Sequence, residues 1–205
     1  MPRKLFSAVL CSFFLSACGP QLPPLNFSVP NVGPTQTKLN AELKAITVGV
    51  ARPDEATGDL EYGVESVAPL WKTAIEEAVT KMAIFRDDAP RKLSLAVKIL
   101  KVKMPAFGGT MVTESAARYE IIDRSDGSII FSTDVDTKGE VPFEYAFIGV
   151  VRARESANRS IQNNILQFLQ QLETVNLERP MFPAGRPAPQ NSPTAPTGTK
   201  PAPTS

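Results

Sequence analysis

Side-chain catalysis rests on nucleophiles, bases and metal ligands, and in this chain of 205 residues histidine is missing altogether. Ser-His-Asp and Cys-His catalysis, histidine-ligated zinc and imidazole proton shuttles are thereby excluded. A serine nucleophile would need a lysine base instead. Ser115, Ser132 and Ser156 are the candidates, with Lys98, Lys101 and Lys103 in or near the expected sheet, but no signature sets a lysine beside a serine. Asp134 and Asp136 alternate along one strand face, a spacing that suits two calcium ligands. The further oxygen donors are not identifiable, and alternating acids are the ordinary covering of a solvated strand. Phe107-Gly108-Gly109-Thr110 lacks the glycine spacing and the lysine of a phosphate-binding loop and reads as a turn. The expectation is therefore no catalytic residue, no metal and no cofactor.

Two constellations suit binding rather than catalysis. Arg152 and Arg154, with Arg159 further on, form a basic patch near the start of a helix, suited to phosphate or an acidic partner. An exposed helix flank is the simpler reading. Phe143-Glu144-Tyr145-Ala146-Phe147-Ile148-Gly149 puts three aromatics in five residues. This run either plugs the core or presents an aromatic surface to a partner, and the plug is the preferred reading. Arg152, Arg154, Phe143 and Tyr145 are the candidate partner surface.

The N-terminus carries a different chemistry. Arg3 and Lys4 precede an uncharged, largely apolar run from Leu5 to Leu15. Eleven residues make roughly 16 Å of helix, too short for about 30 Å of hydrocarbon, so the run reads as a secretion signal. It ends in Leu15-Ser16-Ala17-Cys18-Gly19, which resembles the bacterial lipobox: an aliphatic residue, two small residues, then a cysteine. The resemblance implies that Cys18 is thioether-linked to diacylglycerol, becomes the mature N-terminus and is then N-acylated. Small residues suit an extended backbone in the peptidase site, and only a thiol gives the thioether. At about 0.8 kcal/mol per buried CH2, two or three acyl chains hold a protein on a membrane essentially permanently. Gly19, where enteric bacteria place aspartate to retain a lipoprotein in the inner membrane, favours the periplasmic face of the outer membrane. Cys11 leaves with the signal, so the mature chain has no disulfide.

Composition divides the remainder. Residues 18–40 hold five prolines and no hydrophobic period, and read as a lipidated cysteine followed by a spacer with a reach of roughly 70 Å. Residues 175–205 are rich in Pro, Ala, Thr and Ser and read as a disordered tail. Loss of Arg3 and Lys4 leaves 20 bases against 21 acids, which argues against nucleic-acid binding.

Residues 41–174 have the length of one domain. Ile46 to Val50 reads as a strand, and Val67 to Met82 as an amphipathic helix with Ser66 as N-cap and Pro69 in its first turn. Leu93 to Ile99 alternates until Met104-Pro105 breaks the strand, and a third strand runs from about Thr110 to Ile122. Asp126-Gly127 is a hairpin signal, followed by an alternating strand from Ile129 to Lys138. A last helix from about Ile148 to Thr174 carries Val150, Ala153, Ala157, Ile161, Ile165, Phe168 and Leu172 on one stripe. The expected fold is α+β, a mainly antiparallel four-stranded sheet with two helices on one face, in the order βαβββα.

Lipobox, proline-rich segment, element order and the rhythm Arg154, Ala157, Arg159, Ile161 together resemble small envelope lipoproteins. These are YajG-like lipoproteins and the auxiliary lipoproteins of ABC-type transporters, with likeness also to curli-secretion lipoproteins and penicillin-binding-protein activators. The resemblance implies a non-enzymatic role: a lipid-anchored periplasmic binding or scaffold protein, accessory to envelope transport or assembly, with an envelope protein as partner. The alternative is a domain that binds a small ligand or lipid, with an acyl chain between helices and sheet.

Overall fold

The computed structural model describes residues 22–58 and 66–182. The signal at 1–17, Cys18 and residues 183–205 lie outside the described residues. The elements follow in the order β1 (Ala41–Val50), α1 (Val67–Met82), β2 (Arg91–Lys103), β3 (Met111–Asp123), β4 (Ile129–Val141) and α2 (Gly149–Leu172), with a short 3-10 turn at Phe143–Tyr145. They build one four-stranded sheet in the order β1-β2-β3-β4. β1 runs parallel to β2 because α1 forms the crossover between them, and the other two pairings are antiparallel. The α+β architecture and the mainly antiparallel sheet agree with the sequence reading.

Both helices cover the same face, as one side chain demonstrates. Tyr119 on β3 is fully buried and accepts a hydrogen bond from the Trp71 indole of α1 at 3.2 Å. Its own hydroxyl donates to Asn164 Oδ1 of α2 at 2.8 Å. The Tyr119 ring also stacks on Phe168 of α2, with centroids 4.2 Å apart. Alternation supplies the rest of the covered face: Leu93, Leu95, Val97 and Ile99 of β2 are buried beside Ala117, Tyr119 and Ile121 of β3.

Strand β1 starts five residues earlier than its β-branched core indicates, and its register with β2 slips between Leu43 and Ala45. Ser66 precedes α1 with a helical backbone and makes no capping bond from its side chain to the helix, so the expected serine cap is not formed. The turn between β3 and β4 spans residues 124–128 and is longer than a two-residue hairpin. Gly127 occupies a left-handed conformation there (φ 76°), and the Asp123 and Asp126 carboxylates accept bonds from the Ser125 and Ser128 amides.

Two segments depart from the expected division of the chain. Residues 22–40, expected as a spacer, lie along the domain as a strap: Phe27, Val29 and Leu39 are buried in the core. The Thr35 and Leu39 amides donate to the Met82 and Ile84 carbonyls. Residues 175–182 also return to the fold. Leu177 is buried, and Phe182 exchanges backbone bonds with Ile129 at the start of β4.

Candidate functional site

The face of the sheet away from the helices carries a mosaic of ion pairs. Arg118 grips Asp134 through two bonds of 2.7 and 2.8 Å. Lys101 reaches Asp136 at 3.1 Å and Glu114 at 3.5 Å, Lys138 reaches Glu114 at 2.7 Å, and Lys98 reaches Glu55 at 2.9 Å. The Arg118 guanidinium holds the Asp134 carboxyl below the ordinary range. Lys138, and more weakly Lys101, do the same for Glu114. These exposed pairs contribute little stability each. Their chemical consequence is that Asp134 and Asp136, the pair considered for calcium, already have cations as partners.

Beneath α2 lies a polar seam. Thr113 and Ser156 hydroxyls meet at 2.7 Å, Ser115 and Ser160 at 2.8 Å, and Ser115 and Thr137 at 3.2 Å. The Asn164 amide donates to the Val135 carbonyl at 2.8 Å. The seam lets α2 approach β4 closely, because an added Cβ on Gly139 would lie 2.1 Å from the Ser156 carbonyl oxygen. Ser115 and Ser156 are thus spent on helix-sheet contact, while Lys98 and Lys101 pair with carboxylates on the opposite face. The Ser-Lys arrangement is not assembled from these residues. Serine, threonine and asparagine inside an otherwise apolar stripe were the available signal for this seam, and reading the stripe by its aliphatic positions alone passes over it.

The candidate partner surface comes out differently for each residue. Arg152 is not a surface residue: it is 4% exposed. Its guanidinium donates to the Ala146 and Phe147 carbonyls at 2.5 and 3.0 Å and to the Gly108 carbonyl at 3.0 Å, with the Phe143 ring 4.8 Å away. It therefore clamps the β2–β3 loop to the segment that enters α2. Arg154 donates to the Pro23 carbonyl at 2.9 Å and holds the strap. Phe143 and Tyr145 do not plug the core. They are half-exposed, and Phe147 is 88% exposed. The 3-10 turn buries none of its side chains, since the clamp of Arg152 is made through backbone carbonyls and leaves the rings outside.

Phe107 joins these rings from the β2–β3 loop, also 88% exposed. Ile148 is exposed beside them, and so is Val150, which the apolar stripe of the helix had included: in the first turn α2 has not yet come over the sheet, and the buried stripe begins at Ala153. Between the two loops lies a groove of about 490 Å³, whose lining includes Met104, Phe107, Met111, Val150 and Arg152. Phe107 reads from sequence only as part of a turn; its place beside Val150 and Arg152 in this groove depends on segments over 40 residues apart, which no local pattern reports.

No known family and no curated protein matches this chain. Several solved structures share its general layout. A protein from Xanthomonas campestris of the DUF330 family covers 73% of this chain and 91% of its own, at 10% identity and a TM-score of 0.46. A minor lipoprotein from Acinetobacter baumannii covers 72% and 99%, at 13% identity and a TM-score of 0.35. A lipoprotein from Neisseria meningitidis covers 47% and 83%, at 14% identity and a TM-score of 0.24. Among the described residues, no helix is long and apolar enough to cross a membrane.

Proposed function

We propose that this protein is a lipoprotein held on the cell envelope through Cys18, and that its domain is a non-enzymatic binding or scaffold module. In this reading it serves an envelope transport or assembly system, at the periplasmic face of the outer membrane. The observation that carries the proposal is the continuity between Leu15-Ser16-Ala17-Cys18 and the folded strap. The mature chain would begin at Cys18, and Pro23, five residues on, is already fastened to α2 by Arg154. The residues after the cysteine thus join the domain directly to the modified end.

The non-enzymatic part of the proposal draws on side-chain chemistry. The chain has no histidine, the seam serines bond one another, and the carboxylates of the open sheet face bond to lysine and arginine. Trp71, Tyr119 and Phe168 are buried between helices and sheet, which weighs against an acyl chain at that place. The groove beside Phe107 is the feature that favours the second reading, a lipid-binding domain, and it moves any such ligand to the end of the molecule.

Metabolic labelling with an alkyne fatty acid tests the attachment: the wild-type chain should take up label and the Cys18→Ser chain should not. Crosslinking in living cells from the open sheet face tests the scaffold role. A discrete adduct with one envelope protein is expected, and its absence from both the sheet face and the β1 edge contradicts that role.

A further inference from the structure

Leu70, Leu166, Met181 and Phe182 are exposed elsewhere, but one end of the molecule carries a cluster of exposed apolar side chains. Phe107, Phe143, Phe147, Ile148 and Val150 sit there together, contributed by the β2–β3 loop, the segment after β4 and the first turn of α2. They are held in place rather than loose, because Arg152 ties the carbonyls of Gly108, Ala146 and Phe147 to one guanidinium. Rings fixed outward in water mark a contact surface.

The course of the strap indicates what covers them. Pro23 contacts Arg154, and Asn26 contacts Asn158 and Gln162, so the strap runs in the same direction as α2. Its upstream end lies at the N-terminal part of the helix. Val150 lies one turn before Arg154 on the same side of the helix. From Pro23 back to Cys18 is five residue steps, at most about 17 Å of chain. The roughly 70 Å reach of a free spacer is therefore lost, and the acyl chains leave the molecule beside the exposed rings.

We infer that this aromatic end seats in the bilayer that holds Cys18, with Phe107 and Phe147 entering the headgroup and acyl boundary to a depth of about 5–10 Å. Phenylalanine and tyrosine at such a boundary bury apolar surface, while Arg152 keeps the two segments that carry them tied together. The domain then stands on the membrane in one orientation. Its β3–β4 turn points away, about 40 Å distant along the strands, and the β1 edge and ion-paired sheet face remain open to a partner. The inference rests on the lipid-anchor reading above.

The test uses the full chain purified from bacterial membranes, with its acylation checked by mass, in vesicles of phosphatidylethanolamine and phosphatidylglycerol. Cys18 is the sole cysteine after processing, so Phe147→Cys, Phe107→Cys and Ser125→Cys each give one site for a fluorescent label. Spin-labelled lipid should quench the label at 147 and 107 severalfold more than at 125. Equal, weak quenching at all three sites on a chain whose Cys18 carries lipid overturns the inference and leaves the anchor intact. Label-to-label quenching that rises with protein density, without lipid quenching, assigns the rings to a second copy and also overturns it. An unmodified Cys18 removes the anchor reading and the inference together.

Discussion

Arg154 on α2 donates to the carbonyl of Pro23, 131 positions earlier in the chain, at 2.9 Å. Through this bond the upstream end of the strap is fixed to the helix that also carries the polar seam. Arg154→Ala should release the strap's upstream end. Hydrogen exchange at residues 22–28 should quicken, and global stability should fall by only about 1 kcal/mol, because Phe27 and Val29 remain buried. Unchanged exchange there would show that Pro23 is held by something other than Arg154.

Gly139 and Ser156 set the spacing between β4 and α2. A Cβ on Gly139 would meet backbone atoms on both sides, 2.1 Å from the Ser156 carbonyl oxygen and 2.3 Å from the Ser160 amide nitrogen. Backbone cannot move aside as a flexible side chain can, so Gly139→Ala should cost about 3 kcal/mol in urea unfolding. Gly49→Ala, where an added Cβ meets nothing within 4 Å, should change stability little and serves as the control.

The element order and most of the covered face follow from residue alternation and helical spacing, and β2, α1 and α2 could be placed from these within a few residues. The strap could not, because Phe27 and Val29 are cut off from Leu39 by Pro30 and Pro34 and the three show no sustained period; their burial depends on the surface that the helices provide. The aromatic end failed for a related reason. Three rings close together suit either a plug or a surface, and the choice was made by Arg152, whose charge is satisfied by the nearby Ala146 and Phe147 carbonyls and by that of Gly108, 44 residues away. Arginine at a helix start gives no local sign that it faces inward.

Asn164 holds four partners, since its amide reaches the Val135 and Ser115 carbonyls and the Thr137 hydroxyl and its oxygen accepts from Tyr119. Asn164→Leu keeps the volume and leaves the Tyr119 hydroxyl and the Val135 carbonyl without that partner. The loss should be about 2 kcal/mol or more. Trp71, the single tryptophan, reports it directly because its indole bonds to the same Tyr119 hydroxyl. A variant as stable as wild type would show that the seam serves packing alone.

Acid should act through Asp123. Burial pushes its carboxyl up, but the hydrogen bonds from Ser125 and Arg91 outweigh this and hold it below the ordinary range. The charged form therefore stabilises the fold at pH values above the unfolded-chain pKa, about 3.9, and that contribution fades as pH falls through the lower folded value. Asp123→Asn should be less stable than wild type at neutral pH, with the gap closing as pH falls below about 4. A gap that stays constant over that range would contradict the assignment.

The anchor at Cys18 is tested most directly by the mass of the N-terminal peptide of protein taken from its own membranes. The account predicts a peptide that begins at Cys18 and carries diacylglycerol on sulfur. A membrane-derived chain that keeps residues 1–17 and a free Cys18 thiol would contradict it.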